Sequence, residues 1–310
     1  MLRYILKRII LMIPAILATS FIIFFAMNLT GDPALTLAPE NATEEQLNQI
    51  REEMGLNDSV VVRYAKYMVG MVRGDLGKSY VTKKDVFQTF MQRLPNTLEL
   101  AFSAVLVATL VAVPLGVYTA IHQNTWKDTG GMIFALFGVS MPNFWLGLML
   151  IIIFSLNLKW VPSGGKHGWE TLILPAVTVG LGFAALITRT TRSAMLDVIR
   201  QDYITTARAK GVPRKTVIFR HALKNALIPI ITVIGMQLSN ALTGSVLAET
   251  VFSWPGVGRL IVDSIAKRDQ PMVTGSIIMC CVLMCVVNLL IDLVYAFFDP
   301  RIKAQYAKKG

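Results

Sequence analysis

The residues that most suggest enzyme chemistry are Gly77, Lys78 and Ser79, because Gly-Lys-Ser closes the phosphate-binding loop of P-loop ATPases. A P-loop also requires a glycine five residues before Gly77, and that position is Val72. The spacing therefore excludes a P-loop. We predict that this chain neither binds nor hydrolyses ATP.

Other reactive side chains form no recognisable catalytic or metal-binding pattern. Cys280, Cys281 and Cys285 share one apolar run, where cysteine is more typical of helix packing than of a metal cluster or a disulfide. No zinc-protease or serine-hydrolase motif occurs. Asp292, one turn after Asn288, is the clear ionisable residue within an apolar run, and either a helix–helix hydrogen bond or a site would explain it. We predict no catalytic residue and no metal site.

The composition indicates a polytopic membrane protein. The chain has 310 residues, of which 54% are hydrophobic, and a net charge of +11. Apolar runs long enough to span a bilayer predict an all-α protein with six transmembrane helices. They cover residues 9–27, 98–121, 131–156, 171–188, 226–248 and 272–298.

The first apolar run follows a positively charged start and is too long for a typical signal peptide, so we interpret it as an uncleaved helix. We expect three regions: an N-terminal helix at 1–29, an extracytoplasmic helical region at 30–96, and a five-helix core at 97–310. In the middle region, Thr43 and Gln46 predict a capping box and Gly55 a helix end, and Ser59 can cap a second helix.

Charge placement predicts the orientation. Lys and Arg concentrate in alternate loops, which places both chain termini and the loop at 193–225 in the cytoplasm by the positive-inside rule. This placement explains the net charge of +11, so the charge does not require that the chain bind nucleic acid. Tryptophans near span ends are typical of interfacial anchors, and we expect this of Trp126, Trp160, Trp169 and Trp254.

The most distinctive polar stretch is Asp202 to Pro229, which carries helix signals between two apolar runs. Gly211 interrupts it, and Pro213 suits the first turn of a second helix. A polar helix is costly in hydrocarbon, so this helix–turn–helix must lie in water or against a partner. We expect its basic side chains to be exposed: Arg208, Lys210, Arg214, Lys215, Arg220 and Lys224.

Thr205-Thr206-Ala207, followed after three residues by Gly211, resembles the EAA loop of ABC importer permeases, which forms a coupling helix docked on the ATPase. Thr205 and Thr206 replace the Glu and first Ala of that motif. The phrase from His221 to Pro229 departs from the generic ending but resembles the peptide and nickel branch. The resemblance assigns ATPase coupling to Asp202, Tyr203, Thr205, Thr206, Ala207, Arg208, Gly211 and Pro213.

A second stretch, Glu249 to Pro271, resembles the outer-loop signature of dipeptide, oligopeptide and nickel permeases. The resemblance implies docking of the substrate-binding protein; an aromatic turn at the membrane surface is the plainer interpretation. The residues concerned are Phe252, Trp254, Pro255, Gly256 and Gly258. The final FDPRIKA also matches that family, so the resemblance covers nearly the whole chain.

This resemblance implies the type I fold of ABC importer permeases in a bacterial inner membrane. It implies a second homologous permease, two cytoplasmic ABC ATPases that hold ATP and Mg²⁺, and an extracytoplasmic binding protein. The chain itself is expected to hold no cofactor. Polar residues within spans are candidates for the translocation path, because polar side chains facing lipid are costly: Ser140, Asn143, Gln237, Ser239 and Asn240.

Two classes of function remain beside an ABC permease. A proton-coupled secondary transporter usually needs more buried ionisable residues than Asp292 alone, and a structural membrane subunit is the third possibility. Within the ABC family, the expected cargo is a di- or oligopeptide, with glutathione, nickel or another metal chelate as alternatives.

Overall fold

The computed structural model describes residues 2–29, 31–39 and 41–298, and the regular structure in these ranges is helical. Two π-helical turns occur, Ile151–Asn157 after α7 and Val217–Leu223 between α10 and α11. The α-helices are α1 Leu2–Leu29, α2 Ala34–Leu37, α3 Glu44–Glu53, α4 Val60–Val72, α5 Val86–Ile121, α6 Trp126–Ser140, α7 Asn143–Leu150, α8 Glu170–Ile199, α9 Asp202–Ala209, α10 Arg214–Thr216, α11 Lys224–Gly244, α12 Val246–Val251, α13 Val257–Ala266 and α14 Gln270–Phe298.

The six predicted spans are confirmed, with one correction. Within the described residues, five helices are long and apolar enough to cross a bilayer, and the third predicted span is a pair, α6 and the helix from Asn143 to Asn157, bent by 97°. Met141 at the bend is extended, as expected before Pro142, whose ring disfavours helical backbone in the preceding residue. The sequence predicted one span here because the apolar run is continuous across the bend.

The second span also starts earlier than predicted. α5 begins at Val86, twelve residues before the predicted start at residue 98. Asp85 caps this start, because its Oδ1 accepts the Gln88 N–H at 2.8 Å. Hydropathy marks only the apolar part of a helix, so the polar first turns of α5 were assigned to the outer region.

By spatial proximity the chain forms two compact units. Unit 1 contains residues up to Thr97 together with Pro255–Val286, and unit 2 contains Leu98–Trp254 together with the residues from Val287 onward. Helices α5 and α14 therefore each contribute to both units.

In unit 1, α1 packs against α4 through aromatic rings. Tyr64 lies 5.3 Å from Phe24 and 5.7 Å from Phe21, ring centroid to centroid. The Ser20 hydroxyl, which is fully buried, lies 3.0 Å from the Tyr64 hydroxyl. This contact explains why aromatic residues recur at helical spacing on α4.

The predicted signals around α3 are largely confirmed. Thr43 and Gln46 form the capping box, with each side chain bonded to the other residue's backbone N–H. Gly55 ends the helix at φ +65°, a conformation that glycine adopts without steric cost. Ser59 occupies the N-cap position of α4 as predicted, but its hydroxyl makes no capping hydrogen bond.

In unit 2, α8 packs against α6 and α11 and also approaches α5 closely. Gly116 of α5 is one point of close approach, since an added Cβ would lie 2.6 Å from Thr191 Cβ and 2.7 Å from the Thr188 carbonyl oxygen. Any larger residue at position 116 would force the helices apart. This contact lies near the C-terminal ends of both helices. The chain continues from the end of α8 into α9.

Candidate functional site

The predicted helix–turn–helix is present. α9 runs from Asp202 to Ala209 and ends in a Schellman motif, in which the Gly211 N–H donates to the Arg208 carbonyl and the Val212 N–H donates to the Ala207 carbonyl. Gly211 has φ +76°, and nothing lies within 4 Å of an added Cβ there. Position 211 therefore restricts backbone conformation but leaves free space for a side chain.

α9 is attached to the rest of unit 2 mainly through the apolar side chain of Ile204. Ile204 is fully buried among residues that include Val117 of α5, Met195 of α8 and Val217 of the π-helical turn. Ala207 is half-buried against the same cluster. Three spans thus meet at the base of α9, so a displacement of α9 would be transmitted to all of them.

The remaining surface of the segment is polar and accessible. Only Ala207 among the eight residues assigned to coupling is half-buried; the other seven are exposed: Asp202, Tyr203, Thr205, Thr206, Arg208, Gly211 and Pro213. The predicted exposure of Arg208, Lys210, Arg214, Lys215, Arg220 and Lys224 is confirmed. This surface is available to another protein.

Beside α9 lies an open cleft of about 580 Å³. Its lining combines apolar side chains, among them Ile199 and Val217, with three arginines, Arg200, Arg208 and Arg214. Within the part of the chain that the structure describes, none of these arginines makes an ion pair. The surface around α9 is therefore strongly positive.

Three of the five predicted path residues lie together on α11. Asn240 Nδ2 donates to Gln237 Oε1 at 2.7 Å, and Ser239 Oγ donates to Asn288 Oδ1, also at 2.7 Å. Gln237 and Ser239 are buried, whereas Asn240 is exposed. Each of these side chains therefore has a hydrogen-bond partner inside unit 2.

The other two path candidates lie at the bend between α6 and α7. Ser140 is exposed, and its hydroxyl donates to the Leu136 carbonyl of its own helix. Asn143 is half-buried, with Oδ1 3.1 Å from a Cβ built on Gly182. No hydrogen bond among the described residues joins them to the α11 group. The side chain of Asp292 lies outside the described residues.

The residues assigned to binding-protein docking are mostly internal. Phe252 is 1% exposed, and its carbonyl accepts the Gly165 N–H at 2.8 Å. Trp254 is also 1% exposed and packs with Leu100 and Ala176, so the prediction that it anchors at the membrane surface is wrong. The other three anchors, Trp126, Trp160 and Trp169, are exposed.

The remaining docking candidates belong to unit 1. The Pro255 carbonyl accepts from Asn96 Nδ2 at 2.8 Å, and the Val257 N–H donates to Thr97 Oγ1 at 2.8 Å. Gly256 and Gly258, at the start of α13, are buried. These contacts hold the start of α13 against the residues of α5 that belong to the same unit.

The loop around the Gly-Lys-Ser triplet has a structural explanation. Ser79 is 1% exposed, and its hydroxyl donates to Asp269 Oδ2 at 2.5 Å and accepts the Thr82 N–H at 2.8 Å. Lys78 is exposed. The loop therefore positions its serine for an internal hydrogen bond with a carboxylate, and a carboxylate would repel a phosphate.

Three cysteines on α14 form no disulfide within the described residues and are half-buried in the apolar helix: Cys280, Cys281 and Cys285. Across residues 2–29, 31–39 and 41–298, no group of His, Cys, Asp or Glu side chains is arranged to hold a metal ion.

One ion pair was not anticipated from the sequence. Arg192 of α8 donates two hydrogen bonds to Asp128 of α6, at 2.7 and 2.6 Å, and Asp128 is only 5% exposed. Asp128 also accepts the Asn124 N–H at 3.1 Å. A bidentate Arg–carboxylate pair with this burial fixes the start of α6 against the end of α8. Sequence spacing carried no signal for it, since the partners are 64 residues apart.

Comparisons with known proteins agree over nearly the whole chain. The family described as "binding-protein-dependent transport system inner membrane component" matches residues 112–304, and its N-terminal companion matches residues 1–101. The dipeptide transport system permease protein DppB of Alkalihalophilus pseudofirmus is 39% identical over 98% of this chain and 100% of its own length. The glutathione transport system permease protein GsiC of Salmonella paratyphi A is 38% identical over 98% of this chain and 99% of its own.

Solved structures agree in fold. The inward-facing methionine ABC transporter MetNI superposes with a TM-score of 0.60, covering 69% of this chain and 97% of that one at 16% identity. An amino acid ABC transporter crystallised with histidines gives a TM-score of 0.52 at 15% identity and covers 68% of this chain and 94% of that one. The expected type I importer permease fold is thereby confirmed.

Proposed function

This chain belongs to the family of binding-protein-dependent transport system inner membrane components, and from that membership we propose that it carries small peptides and is coupled to its ATPases through α9. It is a permease subunit of an ABC importer and a transport component, and the secondary-transporter and structural-subunit alternatives are set aside. The proposal concerns its cargo, its coupling surface and the arrangement of its partners.

The cargo proposal follows from two relatives whose named substrates share a chemistry. One is a dipeptide permease and the other a glutathione permease, each matching this chain over nearly its full length. Glutathione is itself a tripeptide, so both relatives transport short peptides. We expect a labelled dipeptide to enter cells that carry the complete transporter and to be excluded when this chain is deleted.

The observation that supports the coupling proposal is that one side of α9 is buried against the spans and the other side is exposed. Ile204 fixes the helix to a cluster shared by α5, α8 and the helical run beginning at Arg214, while Tyr203, Thr205 and Thr206 remain accessible. A partner that holds the exposed side would move three spans at once. Rigid transmission of this kind suits a two-state switch between inward- and outward-facing forms.

The partner arrangement follows the family plan. A second homologous permease would complete the translocation path, and two cytoplasmic ATPase subunits would dock on the α9 segments of the two permeases. ATP bound with Mg²⁺ on those subunits would supply the energy, and an extracytoplasmic binding protein would deliver the cargo. Buried Gln237 and Ser239 are our candidates for the path within this chain.

Docking of α9 is tested by adding a charge to its exposed side. Thr206 is exposed, and Thr206→Glu leaves Ile204 and the cap at Gly211 untouched. We expect the variant to insert and fold normally but to lose ATPase subunits on purification, with peptide uptake reduced at least tenfold. Thr82→Glu, which adds the same charge to an exposed loop of unit 1, should retain both properties.

If Thr206→Glu retained its ATPases and normal uptake, α9 would be only a solvated basic segment. The coupling proposal would then be wrong, although family membership would stand.

The proposed orientation places the α9 segment in the cytoplasm. Lys215 and Lys84 are both exposed, and Lys84 is preferable to its neighbour Lys83, whose φ of +58° would strain a cysteine. In a background without native cysteines, Lys84→Cys should react with an impermeant thiol reagent in cells whose outer membrane has been permeabilised. Lys215→Cys should react only after the inner membrane is opened as well. Labelling of both before that step would overturn the orientation.

A further inference from the structure

Unit 1 contains a pocket of about 240 Å³ that no step of the proposed coupling uses. It is lined by α1, α4, the start of α14 and the segments around Gly55 and Tyr80. Phe24, Tyr67 and Pro271 supply apolar surface, and Arg63, Gln270 and Thr274 supply polar groups. An aromatic and polar lining of this kind is typical of small-molecule sites.

Two hydroxyl groups in this lining lack partners. Thr274 is 1% exposed, and neither its Oγ1 nor the buried Oη of Tyr67 has a hydrogen-bond partner among the described residues. A buried hydroxyl without a partner is costly, so such groups usually indicate a bound water or ligand. Burial, with a smaller contribution from Tyr64, raises the pKa of Tyr67, so its hydroxyl remains a donor at physiological pH.

The charge of the lining favours an anion. Lys66 is paired with Asp58 at 2.5 Å, whereas the Arg63 guanidinium donates to neutral oxygens, those of Asn28 at 3.0 Å and Gln270 at 2.6 Å and that of Tyr80, and forms no ion pair among the described residues. One positive charge therefore remains without a direct carboxylate partner. A carboxylate accepts several hydrogen bonds and would suit both this cation and the two free hydroxyls.

We propose that this pocket is a subsite for the C-terminal carboxylate of a short peptide. The peptide part of the assignment rests on the proposed cargo, while the carboxylate part rests on the pocket itself. The volume equals that of about eight water molecules, taking roughly 30 Å³ for each, which is enough for the end of a peptide but not for a long chain. The rings of Phe24 and Tyr67 would pack against the terminal side chain.

The test measures binding to this chain alone, so that ATPase coupling does not enter. The full chain is purified into nanodiscs of zwitterionic lipid and titrated with L-alanyl-L-alanine by isothermal titration calorimetry. We expect saturable binding that weakens at least tenfold when the probe is the C-terminal amide of the same dipeptide. No saturable binding, or equal binding of the amide, would overturn the proposal.

Two isosteric variants locate the site. Thr274→Val and Tyr67→Phe each remove one unpaired hydroxyl at nearly constant volume, and each should weaken binding of the dipeptide about tenfold. The matched control is Ser276→Ala, because Ser276 is also buried on α14 and unpartnered but does not line the pocket. It should bind as the unaltered chain does, and equal binding by all three variants would place any site elsewhere.

Failure of this experiment is distinguishable from failure of the proposed function. If the chain does not bind the dipeptide in nanodiscs but supports ATPase-dependent uptake, the pocket proposal is wrong and the proposed function stands. If the chain binds the dipeptide but its Thr206→Glu variant retains the ATPase subunits, the pocket proposal stands and the coupling role of α9 is wrong.

Discussion

Two motifs relate this chain to ABC importer permeases, and the structure treats them in opposite ways. In the α9 segment, Ile204 is buried while most of the residues assigned to coupling are exposed. In the stretch from Phe252 to Gly258, nearly every residue is buried, and only Ser253 is exposed. The first motif leaves most of its side chains accessible, whereas most side chains of the second are buried against neighbouring residues.

The comparison shows that resemblance to a family motif does not by itself predict whether the side chains of that motif are exposed or buried. Other residues pack closely against the second motif, as where an added Cβ on Gly164 would lie 2.2 Å from the Phe252 carbonyl oxygen. Docking of a binding protein on this stretch stays a prediction. If docking occurs, we expect the contacting side chains to be exposed neighbours such as Ser253 and Lys267.

The largest expected effect comes from a substitution in the buried motif, the stretch from Phe252 to Gly258. Phe252→Ala removes a ring that is 1% exposed and contacts Gly147, so we expect a loss of about 3–5 kcal/mol of folding free energy. Thermal unfolding of the detergent-purified chain measures it. Phe144→Ala, at a ring 48% exposed in the same unit, should change stability far less. Normal stability of Phe252→Ala combined with lost binding-protein association would instead make Phe252 a direct contact.

An intermediate effect concerns the turn that ends α9. Gly211→Val should cost roughly 1–2 kcal/mol, because φ is +76° and the side chain itself meets open space. We expect loss of ATPase co-purification in this variant, since the Schellman motif orients α9. Gly211→Asn should retain the complex, because asparagine tolerates positive φ.

A matched control tests whether the effect of Gly211→Val is local. Gly55 ends α3 in unit 1 with φ +65° and equally open space, so Gly55→Val introduces the same backbone strain away from α9. The Gly55 variant should retain its ATPases. Loss of ATPases in both variants would mean that general destabilisation, rather than α9 geometry, explains the result.

The smallest effect is expected at exposed Lys78 of the Gly-Lys-Ser loop, where its buried neighbour Ser79 provides the contrast. Lys78 is exposed, so Lys78→Ala should alter folding free energy by less than about 0.5 kcal/mol and leave the ATPase activity of the complex within twofold. Ser79→Ala should cost about 1–3 kcal/mol, because it leaves the buried Asp269 carboxylate without one donor. A tenfold loss of ATPase activity in Lys78→Ala would show that the triplet binds nucleotide after all.

Much of this protein follows from local sequence alone. The apolar runs set the number of spans, because bilayer thickness requires about 20 apolar residues in each. Gly55 and Gly211 end helices because only glycine reaches positive φ without cost, and Thr43 with Gln46 begins one. The exposure of the basic residues around α9 was also predictable, since charged side chains are not buried without partners.

Tertiary structure decided which side chains meet. The ion pair of Asp128 with Arg192, the burial of Trp254 and the hydrogen bond from Ser79 to Asp269 join residues distant in sequence, and no periodicity encodes such pairs. The 97° bend at Pro142 was equally undetermined, because a proline permits several backbone paths and packing against α8 selects one. Local rules set where helices start, end and enter the membrane. The free energy of long-range packing decides which of their residues become surface and which become core.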